Sequence, residues 1–327
     1  SEATMVSLAA FLNLSSATIS QDLLKNQLNQ AQHTVRNSFI AMSTLRGYSL
    51  ALLWSPLEIL LATSIFITGA NYLEVLPWML FVAILGFTLD ACIGKMIFRK
   101  EEVGGPSTPV RTVGVNKKKL IEFIAALVMF LIVVVFLANV IHFNFLFSVT
   151  IAIFPFAFIW ALLMKRRKSF FLIGWPNWKR QMNHLSNFIV LLLSLSFLTE
   201  TLNASPYLSY LQDPLIALDG HPVFIMLFIQ AAFLVMTLLG VHPLATMGIF
   251  GGVSGLLMGA LPSVTLTILL ASCAIATVPS APYGLIVTLT SIGLKMNPYK
   301  IAFKNLPYSL LCGFIGVMVA YLTLSIY

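Results

Sequence analysis

Two stretches of this chain put chemically able residues where a helix must break. Leu239-Gly-Val-His-Pro-Leu-Ala-Thr-Met247 and Ala276-Thr-Val-Pro-Ser-Ala-Pro-Tyr-Gly284 both carry Gly and Pro inside strongly apolar sequence. Backbone that leaves the helix at membrane depth is tolerated only where it is buried in protein or lines a polar cavity, and such breaks mark solute and ion sites in transporters. A half-helix N-terminus carries partial positive charge and unpaired N–H groups, which suit an anion. Unwound carbonyls and half-helix C-termini suit a cation.

The side chains beside the breaks extend this chemistry. Thr246 and Ser280 flank the later breaks, and Thr4 and Ser55 hold similar places early in the chain. Each offers a hydroxyl to a solute or ion, or else satisfies backbone that the break sets free. His242 is either a proton carrier, since imidazole titrates near physiological pH, or a structural donor to a loop carbonyl. Intramembrane acids are costly and default to functional hypotheses. Glu58, inside a clear span, is read as a proton- or cation-coupling residue, whereas Glu2 can be solvated. Asp90 reads as a snorkelling charge or one paired with Lys95, and Glu200 as an outer-interface residue. His33, His142, His184 and His221 fall at loops or interfaces. Cys92, Cys273 and Cys312 sit in apolar runs with no metal-ligand spacing. No GxSxG, HExxH or P-loop pattern occurs, so no enzyme is expected.

Composition sets what positions these residues. The 327 residues are 59% hydrophobic and only 9% charged, where a soluble domain carries about 25% charged residues. Mean hydropathy is +0.94. The apolar runs are continuous and near 20 residues rather than alternating, which argues against an outer-membrane barrel. The expected class is therefore an all-α polytopic membrane protein. The net charge of +8 concentrates in a few short loops, as the positive-inside rule requires, and no nucleic-acid partner is implied.

Residues 3–19 read as a half-membrane helix and 20–46 as an interfacial amphipathic helix on the basic side. A first span covers 48–70, broken at Trp54-Ser-Pro56, and a second covers 73–97. Residues 98–119, with Gly104-Gly-Pro106 and Lys117-Lys-Lys119, form a cytoplasmic linker. Spans at 120–141, 144–164 and 185–203 follow. Residues 221–262 hold two apolar arms around Gly240-Val-His-Pro243, 263–294 a span broken around Pro279 and Pro282, and 306–327 a last span ending outside. Every basic loop stays cytoplasmic only if 221–262 dips into the membrane and returns, so a re-entrant hairpin is expected there.

The order of elements repeats. After Ala3-Thr4 come a short arm, a polar segment, a span broken at Ser55-Pro56 and a full span. After Ala245-Thr246 come a short arm, a turn, a span broken at Pro279-Ser-Ala-Pro282 and a full span. The two copies start on opposite faces, which makes an inverted-topology repeat with re-entrant hairpins and discontinuous helices. Residues 1–97 form the C-terminal part of the first copy and 120–327 the second. The first copy begins part-way through its hairpin, so further spans are expected upstream, in this chain or in a companion subunit.

This arrangement resembles the ion transporter superfamily, which includes divalent-anion/sodium symporters and arsenite and citrate permeases. Its symporters carry a Ser-Asn-Thr-Ala-Thr tip on each hairpin and a Pro-Pro-Asn-like break in the following helix. Here Ser1-Glu-Ala-Thr4 and His242-Pro-Leu-Ala-Thr246 stand at the tips, with Ala245 and Thr246 matching the motif's last two places. Trp54-Ser-Pro56 and Val278-Pro-Ser-Ala-Pro282 stand at the breaks. The resemblance implies a secondary active transporter in a bacterial inner membrane. It would move a small anionic or organic-acid solute by alternating access, coupled to Na+ or H+ and needing no other cofactor. The implied site residues are Thr4, Ser55, Pro56, Glu58, Gly240, His242, Ala245, Thr246, Pro279, Ser280 and Pro282. Expected partners are the solute, the lipid bilayer, and a second copy of the chain or a companion carrying the missing spans. The alternative is a non-transporting assembly or sensor subunit that keeps the fold.

Overall fold

The computed structural model describes residues 20–22, 24, 25, 33–98, 117–143, 145–184, 186–206, 209–218 and 220–327. The first hairpin tip read at Ser1–Thr4, and linker residues 99–116, lie outside the described residues. Among the described residues all regular structure is helical. Three helical stretches are long and apolar enough to cross a membrane: Tyr72–Gly94, Ser263–Leu294 and Pro298–Thr323. A fourth crossing is available to the pair Pro243–Gly252 and Ser254–Ala260, bent by 75° between them. The chain thus has the make-up of an all-α integral membrane protein.

Two compact units divide the chain by packing. One joins Ser1–Val110 to Ser209–Tyr327, and the other is Arg111–Leu208. This division follows contacts, whereas the sequence repeat follows element order.

In the first unit the helices are α1 (His33–Leu52), α2 (Ile59–Thr68) and α3 (Tyr72–Phe98). The second unit holds α4 (Lys117–Asn139), α5 (Phe145–Leu163), α6 (Trp175–His184) and α7 (Ser186–Asn203). The first unit then resumes with α8 (Ser209–Ala217), α9 (Pro222–Leu238), α10 (Pro243–Gly252), α11 (Ser254–Ala260), α12 (Ser263–Thr277), α13 (Leu285–Leu294) and α14 (Pro298–Thr323).

Helix α12 is the axis of the first unit. Every residue from Val264 to Thr277 is buried, enclosed by α14, α2, α9 and α3. A helix that is apolar all round belongs inside a protein, yet α12 carries Thr265, Thr267, Ser272 and Thr277. Each has a partner. Thr267 donates to Ser263 O at 2.7 Å and Ser272 to Ile268 O at 2.6 Å. Thr265 pairs with Thr323 of α14 at 2.8 Å, and Thr267 with Thr68 of α2 at 2.6 Å. Such hydroxyl pairs tie helices together where no water competes. α14 approaches closely because Gly316 faces Ser272: a Cβ on that glycine would lie 2.5 Å from the serine Cβ.

The expected boundary between an interfacial helix at 20–46 and a span from 48 is absent. One helix, α1, runs through it, and residues 40–53 are buried. The reason is Arg46, a cation that the sequence suggests should face the cytoplasm. Its guanidinium lies inside the unit, donating to Asp90 Oδ1 at 2.6 Å, Asn305 Oδ1 at 3.0 Å and Lys304 O at 3.3 Å. It also sits over the Tyr308 ring at 5.3 Å. The Arg46 and Asp90 side chains are 4% and 0% exposed. Asp90 is therefore paired with Arg46, and the side chain of Lys95, the partner expected from the sequence, lies outside the described ones.

In the second unit, α4 and α5 pack through Phe130, Val134, Val149 and Ala152. The chain turns between them at His142, whose φ is +61°. The helix limits fall within three residues of the spans expected at 120–141, 144–164 and 185–203.

Candidate functional site

The turn between α9 and α10 is built from local rules. Val241 N donates to Met236 O at 2.9 Å and Gly240 N to Thr237 O at 3.1 Å. This is the double bond pattern that ends a helix on a left-handed residue, and Gly240 takes that place with φ +92°. Two residues later His242 begins α10. Its Nδ1 accepts from Leu244 N at 3.2 Å, and Pro243 occupies the first helical position, where its missing N–H costs nothing. Gly240, His242 and Pro243 thus stop one helix and start the next within four residues.

The two arms fold back on each other. Phe233 of α9 stacks on Phe250 of α10 with ring centroids 5.5 Å apart. Seventeen residues of continuous helix would separate them by about 25 Å. They are equidistant from the turn, so α9 and α10 are antiparallel. One helical turn nearer the tip, on the same two faces, stand Thr237 and Thr246. Both hydroxyl oxygens are buried without a hydrogen-bond partner in the protein. This contrasts with Thr68, Thr267, Thr277 and Thr323, which all bond a carbonyl three or four residues back. Among the described residues Thr44 and Ser309 are the other buried hydroxyls in this state.

Helix α2 lies beside α10 in parallel. Ser64 Oγ donates to Met247 Sδ at 3.4 Å, and a Cβ on Gly251 would meet Ile67 at 3.3 Å. Continuing that register toward the N-termini brings Glu58 level with His242. Each residue caps its own helix: Glu58 Oε1 accepts from Leu60 N at 3.4 Å, as His242 does from Leu244. Two half-helix N-termini therefore start side by side. Glu58 is 7% exposed.

The broken spans run in opposite directions. Asn37 donates to Leu294 O at 3.0 Å, Ser49 to Ile275 O at 3.0 Å, and Thr68 pairs with Thr267. As position rises in one span it falls in the other. Ser49 and Ile275 each lie in the last turn before their break, so the C-terminal ends of α1 and α12 meet there. The hydroxyls nearby satisfy freed backbone: Ser280 donates to Thr277 O at 3.0 Å and Thr277 to Ala274 O at 2.8 Å. Ser55 Oγ accepts from Leu57 N at 3.4 Å. Pro56, Pro279 and Pro282 are buried in the breaks, as is Ala245 in α10.

No protein-family model, no curated protein and no solved structure matches this chain.

The structure thus brings the turn at Gly240 together with the second break. Tyr283, in the second break, lies over Gly240, whose added Cβ would meet its ring at 3.0 Å. Its hydroxyl pairs with that of Tyr299 at the start of α14. Thr4 and Glu2 lie outside the described residues. Among the described residues no group of three or more His, Cys, Asp or Glu converges on a metal-sized site. Thr237 and Tyr283 escaped the sequence reading, and Arg46 reads there as an interfacial cation. Thr237 has a signal in retrospect, a hydroxyl in the last turn before Gly240 that mirrors Thr246. Arg46 has no local signal, since its partners lie 44 and 259 residues away.

Proposed function

We propose that the protein is a secondary active transporter of a small anionic or organic-acid solute, working by ion-coupled alternating access. The observation that carries this reading is the hairpin tip. Two buried, unpartnered hydroxyls, Thr237 and Thr246, flank a turn that the second helix break adjoins through Tyr283. An anion is favoured because the N-termini of α2 and α10 start side by side, and a partial positive charge sits at each. A coupling cation is favoured at the C-terminal ends of α1 and α12, where partial negative charge accumulates. Glu58, a buried carboxylate at the start of α2, is the residue we assign to proton or sodium coupling. The antiparallel broken spans support an inverted repeat, and the antiparallel arms α9 and α10 support a re-entrant hairpin. In this reading the basic loops face the cytoplasm of a bacterial cell and the C-terminus faces out.

The test is uptake into proteoliposomes. Purified full-length protein should accumulate at least one member of a panel of radiolabelled mono-, di- and tricarboxylates and inorganic oxyanions. Accumulation should collapse when the imposed proton or sodium gradient is removed. Flux independent of pH, sodium and membrane potential would remove the coupling. Absence of flux for the whole panel, by protein that keeps its helical circular dichroism, would overturn the transport assignment.

A further inference from the structure

The second compact unit holds a feature that transport leaves unused. From position 123 to 199 the chain has no Asp or Glu, yet it carries Lys165, Arg166, Arg167, Lys168, Lys179 and Arg180. All six are exposed. No carboxylate in that stretch can neutralise them.

The backbone that presents them is specific. α5 ends with Arg166 N donating to Ala161 O at 2.8 Å and Lys165 N to Leu162 O at 2.9 Å. This again is the closure that favours glycine at the left-handed position, but here Lys165 occupies it with φ +56°. A lysine there is strained relative to glycine, so stability alone does not account for it.

After Lys168 a five-residue π-helical turn, Phe170–Gly174, leads into α6. The turn folds back along α5. Phe170 meets Phe154 at 5.9 Å and Phe158 at 5.7 Å, and Phe171 meets Phe158 at 5.6 Å. Phe158 lies seven residues before Lys165, about 10 Å down the helix at 1.5 Å per residue. The aromatic cluster therefore begins, at Phe158, about 10 Å along α5 from Lys165. That distance matches the boundary between headgroups and acyl chains, where an interfacial segment buries its apolar face about 5–10 Å deep. α6 repeats the pattern. Trp175, Trp178 and Met182 form an exposed apolar stripe at helical spacing, 59%, 55% and 47% accessible. Lys179 and Arg180 flank it, and Arg180 donates to a neutral neighbour, Asn177 Oδ1, at 3.0 Å.

From this we infer that residues 165–182 form a binding surface for anionic phospholipid. The four cations at 165–168, with Lys179 and Arg180, would engage headgroup phosphates. Phe170, Phe171, Trp175 and Trp178 would seat among the acyl chains. The surface commits to a lipid rather than a soluble anion because charge and aromatic anchor share one short segment at the spacing of an interface.

The experiment measures lipid retention by the detergent-purified full chain, using native mass spectrometry. The probes are dioleoylphosphatidylglycerol and dioleoylphosphatidylcholine. Wild type should retain the anionic lipid at least tenfold more strongly, since each interfacial cation contributes roughly a fivefold preference. K165Q/R166Q/R167Q/K168Q should cut that preference at least tenfold, removing four of the six contributions and leaving those of Lys179 and Arg180. W175A/W178A should weaken retention of both lipids and keep the preference. Lys165→Gly covers the case in which the quadruple variant does not fold. It should melt higher than wild type in lipid-free detergent and still lose part of the anionic preference. Equal retention of both lipids by wild type, or an unchanged preference in the charge variants, overturns the inference. So does displacement of the anionic lipid by millimolar inorganic phosphate, which would assign the cluster to a free anion.

Discussion

Replacing Thr246 by Val separates a binding hydroxyl from a structural one, because the two roles predict opposite signs. Valine keeps the branched shape and removes an oxygen that is buried without a protein partner. A buried polar group in that state costs about 1–3 kcal/mol. Thr246→Val should therefore stabilise the protein by about 1 kcal/mol, the lower end of that range. Thr237→Val should act in the same direction. If the hydroxyl hydrogen-bonds the transported solute, the same substitution removes about 1–1.5 kcal/mol of binding, roughly a tenfold rise in KM. Unfolding in mixed detergent micelles reads the first effect, and proteoliposome uptake reads the second. Thr246→Ser is the control. It keeps the hydroxyl, gives up a methyl group worth about 1 kcal/mol of stability, and should leave KM within twofold. A loss of stability in Thr246→Val, or an unchanged KM beside normal uptake by wild type, refutes the role assigned to this hydroxyl.

Two further outcomes follow from the same structure. Arg46→Met leaves the Asp90 carboxylate, 0% exposed, without its arginine donor, and should cost about 3–5 kcal/mol. Asp90→Asn should cost less, because Arg46 keeps Asn305, the Lys304 carbonyl and the Tyr308 ring. The double replacement Arg46→Met with Asp90→Leu should return to within about 1–2 kcal/mol of wild type, and a double-mutant cycle with no coupling would show that the pair is not a unit. Gly240→Ala adds a methyl against Tyr283 at a φ of +92°. It should cost at least about 1 kcal/mol and slow uptake, which thermal melting and initial rates would measure together.

Much of the architecture was legible without coordinates because its causes are local. Apolar run length determines where helices lie, and Gly240, Pro243, Pro279 and Pro282 determine where they break. The limits of α4, α5 and α7 followed from hydropathy within three residues. The fold-back at Gly240 also has a local cause, since a left-handed glycine and a proline at the first helical position reverse the chain in four residues. What stayed hidden depends on separation. Arg46 carries the same charge as an interfacial arginine, and only the approach of Asp90 and Asn305 turns it into a buried residue. Thr237 and Thr246 look like any helical threonines until the pairing of Phe233 with Phe250 sets them on matching faces. The level start of α2 and α10 depends on contacts such as Ser64 to Met247, 183 residues apart. By itself, then, the sequence determined an all-α membrane protein with the helix breaks around Gly240 and Pro279 in place. The tertiary structure alone decided which of those polar groups find partners and which are left buried without one, because burial and hydrogen bonding depend on neighbours that chain order does not reveal.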